Sequence, residues 1–229
     1  MKHLKKGSTV LLIACIPLIP LLFSGCVSNT LQEIREADTG ILPHETIAVL
    51  GRKDSRKDQT ESAFIDCLVD KTSSGSKSVN VISNEEFVDQ FFPWFEPRTA
   101  PLEVGDMTNI LKQDKITQKV DEINLRYIVW VDGTTQRTDQ GGTVQCAVAT
   151  GGVPACFGFL TWEAGSNYEA TIWDIHSGVS AGKVSSEAKG MSFVPAIIVP
   201  LPFIARTQAA ACVAMSKQLK EFIDPEPSK

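Results

Sequence analysis

Apolar positions along the chain change period several times, and each change predicts an element. Thr46 to Gly51 (TIAVLG) is a β-branched apolar run closed by glycine, which predicts a buried strand. From about Gln59 to Lys71, Ala63, Phe64, Cys67 and Leu68 recur at helical spacing. That predicts a helix with one inner face, capped by Asp58 with Glu61 three residues on, and ended by Ser73-Ser74-Gly75-Ser76. Val79 to Ser83 (VNVIS) is the next strand, and Ser83 or Asn84 caps a helix running through Phe87, Val88 and Phe91. Pro93, Pro97 and Pro101 then forbid a continuous helix, in a stretch dense in aromatics: Phe91, Phe92, Trp94 and Phe95. Asp106 to Asn124 predicts a helical region with Ile116, Val120 and Ile123 on one face. Tyr127 to Val131 (YIVWV) is apolar without alternation, as in a central strand covered on both sides, with Asp132-Gly133 as its end.

After Gly133 the segments shorten. Thr143 to Ala149, Ala155 to Glu163, Tyr168 to Ile175 and Ser180 to Glu187 predict strands joined by tight turns. Asp174-Ile175-His176-Ser177-Gly178 has hairpin chemistry, with positive φ expected at Gly178. Phe193 to Ala205 (FVPAIIVPLPFIA) is apolar but broken by Pro195, Pro200 and Pro202, which predicts a loop folded back onto the sheet. Arg206 to Ile223 predicts a terminal helix whose stripe is Gln208, Cys212, Met215, Leu219 and Phe222, stopped by Asp224-Pro225. The fold class is therefore α/β (α+β): one mixed β-sheet with antiparallel hairpins, helices packed on it, and a C-terminal helix.

The first 25 residues follow a different logic. Lys2, Lys5 and Lys6 precede an apolar stretch from Thr9 to Phe23, and Ser24-Gly25 sets small residues directly before Cys26. This is the order of a signal peptide with its cleavage site. Pro17 and Pro20 interrupt the apolar stretch, which is also short for a membrane helix of roughly 20 residues. A cysteine at that place resembles the lipobox of bacterial lipoproteins. The resemblance implies diacylglycerol on the Cys26 thiol and an acyl chain such as palmitate on its amine. Val27 after the cysteine, by resemblance to enteric sorting rules, implies the outer membrane. Residues 26–45 are expected to be the lipidated cysteine and a polar tether, 46–224 a single periplasmic domain, and 225–229 a tail.

Charge and cysteines narrow the picture. The full chain has 22 Lys+Arg against 27 Asp+Glu, and the leader holds three of the lysines and no acid. The mature balance is thus 19 against 27, which argues against nucleic acid or anionic lipid headgroups as partners. Apart from Cys15 and Cys26, four cysteines remain: Cys67, Cys146, Cys156 and Cys212. An even number in an oxidising compartment favours disulfides, and three pairings are open. Cys146–Cys156 is favoured as the staple of a Gly-rich hairpin, and Cys67–Cys212 as a link between two helices. With no C-x-x-C and no ligand set at zinc spacing, neither a redox motif nor a metal site is expected.

The TIAVLG strand, the VNVIS strand, a strand ending in VDG and the hairpin EATIWDIHSGVSAGKV together resemble one periplasmic fold. It is the fold of the TolB amino-terminal domain, the lipoprotein activator of penicillin-binding proteins and the curli secretion lipoprotein. The resemblance covers Thr46 to Ile223 in element order. It implies an envelope accessory role or, as an alternative, an oligomeric secretion-channel subunit that inserts strand hairpins, with Thr143 to Glu163 as the candidate.

Catalytic chemistry is sparse. His3 falls in the leader, His44 in the tether and His176 in a hairpin turn, and no G-x-S-x-G or phosphate loop is present. Glu85-Glu86, and Glu163 with Glu169, are the carboxylate groupings worth naming for glycan chemistry. Glu85 and Glu86 open a helix, where acids stabilise the dipole. No enzyme and no cofactor are expected. The expectation is a non-enzymatic binding module, held on the membrane by its lipid, that docks an unidentified envelope protein. Phe92, Trp94 and Phe95, with Ile198, Leu201 and Phe203, are expected to form one docking surface. A homo-oligomer remains open.

Overall fold

The computed structural model describes residues 26–52, 60–95, 104–111, 113–148 and 151–225. The expected signal peptide, the Asp58 cap, Pro97, Pro101, Ala149 and residues 226–229 lie outside them. A six-stranded sheet runs in the order β1-β6-β5-β4-β2-β3. Its strands are β1 (Val27–Arg35), β2 (Thr46–Gly51), β3 (Asn80–Ile82), β4 (Leu125–Val148), β5 (Pro154–Asp174) and β6 (Val179–Pro200). The described helices are α1 (Ser62–Ser73), α2 (Asn84–Gln90), α3 (Val104–Leu111), α4 (Asp114–Glu122) and α5 (Thr207–Ile223). The sheet is mixed: β2 pairs in parallel with both β3 and β4. At the hairpin side, Gly133 abuts Asn167 while Gly142 abuts Phe159, so β4 and β5 run antiparallel.

The chain forms two compact units where one domain from 46 to 224 was expected. One, the hairpin unit, combines Arg137–Ala164 and Gly190–Arg206 with the described residues up to Val27. The other, the helix-bearing unit, holds Ser28–Gln136, Gly165–Lys189 and the residues from Thr207 on.

The helix-bearing unit contains the core. Ile47, Val49, Tyr127, Ile128 and Val129 are wholly buried, as the unalternated runs of β2 and β4 require. On one face Ala48, Leu50, Ile128 and Trp173 pack with Phe87, Phe91 and Phe95, and with Ile116 and Val120 of α4. Ser83 caps α2 by accepting the Glu86 N–H at 3.3 Å. Elsewhere α1 and α5 pack together, joined by Cys67–Cys212 with 6.3 Å between Cα atoms. Phe64, Ile65 and Leu68 form the buried stripe of α1; Ala63, expected there, is exposed.

Several boundaries differ from expectation, each for a physical reason. The region Asp106–Asn124 is two helices, divided between Leu111 and Asp114. Asp132-Gly133 does not end β4. Gly133 has φ 147°, and a Cβ on it would sit 2.2 Å from the Asn167 carbonyl oxygen, so it permits close strand approach rather than a turn. The segments expected as four short strands are pieces of three long ones, the end of β4, the two halves of β5 and the first part of β6, which run 24, 21 and 22 residues. Residues 193–200, expected as loop, belong to β6.

The tether is replaced by β1 at the sheet edge. Its polar side chains, which look like those of a linker, are used against α5. Asn29 donates to the Ala210 carbonyl at 3.0 Å, and Arg35 donates to the Phe222 carbonyl at 3.0 Å while lying 4.4 Å from the Phe222 ring centre. Beyond β1, the Tyr127 hydroxyl donates to the Gly40 carbonyl at 2.9 Å, pinning the connection to β2.

Candidate functional site

In the hairpin unit, the outer parts of β4 and β5 are joined by Cys146–Cys156, within the Gly-rich hairpin. Gly142 and Gly158 face the opposite strand with φ of 82° and 137°. A Cβ on either would fall 2.1 Å from a carbonyl oxygen, that of Phe159 or Thr143, so only glycine fits. Phe159 lies 6.3 Å from Phe193, which stacks on Phe203 at 4.5 Å. Phe193 and Phe203 also exchange both backbone hydrogen bonds at 2.9 Å, and Leu201 N–H reaches the Pro195 carbonyl at 3.0 Å. The chain therefore turns back on itself between these residues. The turn leaves Ile197 79% and Ile198 54% exposed, with Val199 and Leu201 also open to solvent. Phe157, Phe159 and Met191 add to this apolar exposure. Phe203 is only half-buried by its stack.

Cys26 belongs to the same unit, exposed, and is the free cysteine among the described residues. Its carbonyl oxygen lies 2.9 Å from where a Gly190 Cβ would stand, so β1 begins against β6 with no room for a side chain there.

The aromatic stretch after α2 lies in the helix-bearing unit, and the structure divides it. Phe91 stacks on Phe87 at 4.4 Å, and Phe95 meets Phe87 edge-on at 4.8 Å. Phe95 is therefore core, and its expected contact with a partner is corrected: the edge of one ring fills the face of another. Phe92 is 64% exposed, and Trp94 is half-buried against the cluster. The Phe92–Pro93 peptide is cis. Of the six expected docking residues, Phe92 and Trp94 thus stand in one unit and Ile198, Leu201 and Phe203 in the other.

The polar side chains hold structure together. Tyr168, wholly buried, stacks on Phe64 with ring centres 3.5 Å apart. Its hydroxyl donates to Glu61 Oε2 at 2.8 Å and lies 2.8 Å from Thr135 Oγ1. Glu61 Oε1 accepts the Thr135 N–H at 2.7 Å, and Thr135 Oγ1 also meets Ser166 Oγ at 2.8 Å. Burial pushes the Tyr168 phenol up to about 12; Thr135 and Gln208 work against this and the Glu61 carboxylate with it. Glu61, expected three residues past an Asp58 cap, stands itself at the N-cap of α1, where its side chain makes no capping bond. Burial also lowers the Lys220 ammonium, which donates to the Ser74 and Ser76 carbonyls beyond α1.

His176 sits exposed in the hairpin turn with Nδ1 2.5 Å from Arg126 Nη1, and Arg126 Nη2 pairs with Asp174 Oδ2 at 3.0 Å. Asp174 Oδ1 in turn accepts the His176 N–H at 2.9 Å. This is the architecture of an anchored turn. Gly178 has φ 68°, as its place there requires. His44 is exposed, Glu85 and Glu86 lie in the first turn of α2, and Glu169 pairs with Lys183 at 2.8 Å. Among the described residues no group of three metal-ligating side chains converges. An open hollow of about 490 Å³ on the helix-bearing unit is lined by Thr30, Gln32, Asp132, Asn167, Glu169 and Glu187.

No protein-family model matches the sequence, and no curated protein does. Among solved structures, the chain superposes on the PelC dodecamer from Paraburkholderia phytofirmans at 11% identity and a TM-score of 0.37, covering 87% of this chain and 100% of that one. A single-residue variant of that dodecamer gives 10% identity and a TM-score of 0.35, with 88% and 99% covered. Superpositions this loose carry neither fold nor function to the chain.

Proposed function

We propose that this chain is a lipid-anchored, non-enzymatic module of the bacterial cell envelope that docks another envelope protein. The observation behind it is Cys26. It stands exposed at the head of the first strand, directly after a leader with a basic start, an apolar middle and small residues at its end. Two or three acyl chains there, at about 0.8 kcal/mol per buried CH₂, would hold the protein on a membrane almost permanently. The paired state of the other four described cysteines suits an oxidising compartment. The outer membrane is the expected address, with the folded residues on the periplasmic side.

Phe92 and Trp94 are the side chains offered to a protein partner, because Phe92 is exposed and Trp94 rests half-buried on the aromatic cluster. Crosslinking in the intact envelope from a photoreactive residue at position 94 tests this. A single heterologous partner, lost in Phe92→Ala without change in the thermal unfolding of the domain, is expected. Capture undiminished in Phe92→Ala refutes this docking surface. Self-links closing into a ring, with none to other proteins, replace the proposal with the alternative of an oligomeric channel subunit.

A further inference from the structure

We infer that the apolar end of the hairpin unit is a bilayer-contact element, which enters the acyl layer of the leaflet that holds the anchor. Charge is the first observation. Residues 140–162 and 190–205, 23 and 16 in number, contain no Asp, Glu, Lys or Arg. At the chain's 21% charged content, 39 residues would carry roughly eight. Outer strands exposed to water normally carry charge, so a face both charge-free and exposed is shaped for an apolar environment. Arg137, Asp139, Glu163 and Arg206 bound the two runs at one end of the unit. Trp162 lies at that same boundary with the Arg137 guanidinium 5.3 Å from its ring centre. Tryptophan and arginine together are the side chains that settle at the water–lipid boundary.

Backbone satisfaction is the second observation. In hydrocarbon every N–H needs an internal partner. Pro154, Pro195, Pro200 and Pro202 have no N–H to satisfy. Leu201 N–H bonds the Pro195 carbonyl, Phe193 and Phe203 satisfy one another, and Ala205 N–H donates to Ser192 Oγ at 2.9 Å.

Direction and reach are the third. β1 runs antiparallel to β6, since Gly182 abuts Ile34 and Gly190 abuts Cys26. Cys26 and Gly190, both in the hairpin unit, therefore stand side by side where β6 sets out toward Pro200. Ile198 lies eight residues past Gly190, at most about 26 Å along a strand. Half a bilayer with its headgroups measures roughly 20 Å. Acyl chains on Cys26 and the Ile197–Leu201 turn thus reach the same layer from the same boundary.

This inference rests on the proposed anchor only for which leaflet is entered, and the test separates the two. The mature protein, purified from membranes, is reconstituted into phosphatidylethanolamine vesicles doped with a phosphatidylcholine carrying a mid-chain diazirine. After illumination, its peptides are weighed. Carbene adducts on 140–162 and 190–205 are expected at tenfold or more the level on peptides of the helix-bearing unit. Phe159→Asp with Ile198→Asp, both at exposed positions, should bring them down to that level. The mass of the Cys26 peptide reports acylation independently. An acylated Cys26 peptide with no excess of adducts on the two runs overturns the inference and leaves the anchor standing. Adducts on both runs beside an unacylated Cys26 peptide remove the anchor and sustain the bilayer contact.

Discussion

Replacing Tyr168 with phenylalanine isolates one hydroxyl at the centre of the helix-bearing unit. The ring stack on Phe64 survives, and Thr135 keeps Ser166 as a partner. Glu61 keeps the Thr135 N–H on Oε1 and loses the donor on Oε2. A hydrogen bond to a charged group contributes about 1.5–3 kcal/mol, and Glu61 is partly open to water, which can take up the vacated lone pair. The lower part of that range, about 1.5–2 kcal/mol, is therefore expected. For a chain of this size it corresponds to roughly 3–8 °C in Tm.

The pH dependence gives the sharper check. The Tyr168 pKa rises from 10.0 to about 12 on folding. Below pH 10 both states keep the proton and the full stabilisation is present. Above it the unfolded chain releases the proton first, so stability falls as pH rises toward 12. Linkage gives a loss of about 1.3 kcal/mol between pH 9 and pH 11 from this one group. Urea unfolding followed by far-UV circular dichroism, run on both proteins at each pH, cancels every other titration in the difference. The gap between wild type and Tyr168→Phe should shrink by about that amount. A gap constant to about 0.3 kcal/mol from pH 9 to 11, or no loss at pH 9, refutes the argument that burial and Glu61 hold the phenol.

Two further outcomes follow from packing. Cys67→Ala with Cys212→Ala opens a loop spanning 145 residues and should cost about 2–5 kcal/mol in non-reducing urea titrations; a loss under 1 kcal/mol would show that the α1–α5 contact holds without the link. Phe91→Ala, at a wholly buried position, should cost about 3–5 kcal/mol, whereas Phe92→Ala should stay within about 0.5 kcal/mol. Equal losses at the two positions in the same titrations would contradict the division of this aromatic stretch between core and surface.

Local pattern alone determined the strands β2 and β3, the start of β4, the helices α1, α2 and α5, and the turn at Gly178. Each is short and written in side-chain periodicity, which depends only on neighbours in sequence. The charge-free runs around Phe157 and Ile198 were equally present in the sequence, in its spacing of ionisable residues. Tertiary structure decided the rest. Gly133 reads as a strand end because nothing nearby reveals the Asn167 backbone pressed against it. The polar residues of β1 read as a tether because Asn29 and Arg35 find carbonyls of α5 more than 180 residues away. Phe92 and Phe95, alike in sequence, part company because burial depends on which side of one cluster each ring reaches. Glu61 has the spacing of a capping-box partner, and the Tyr168 hydroxyl, brought to it from 107 positions along the chain, engages its carboxylate instead. Periodicity records which face a residue belongs to, while only the folded chain supplies the partner on that face.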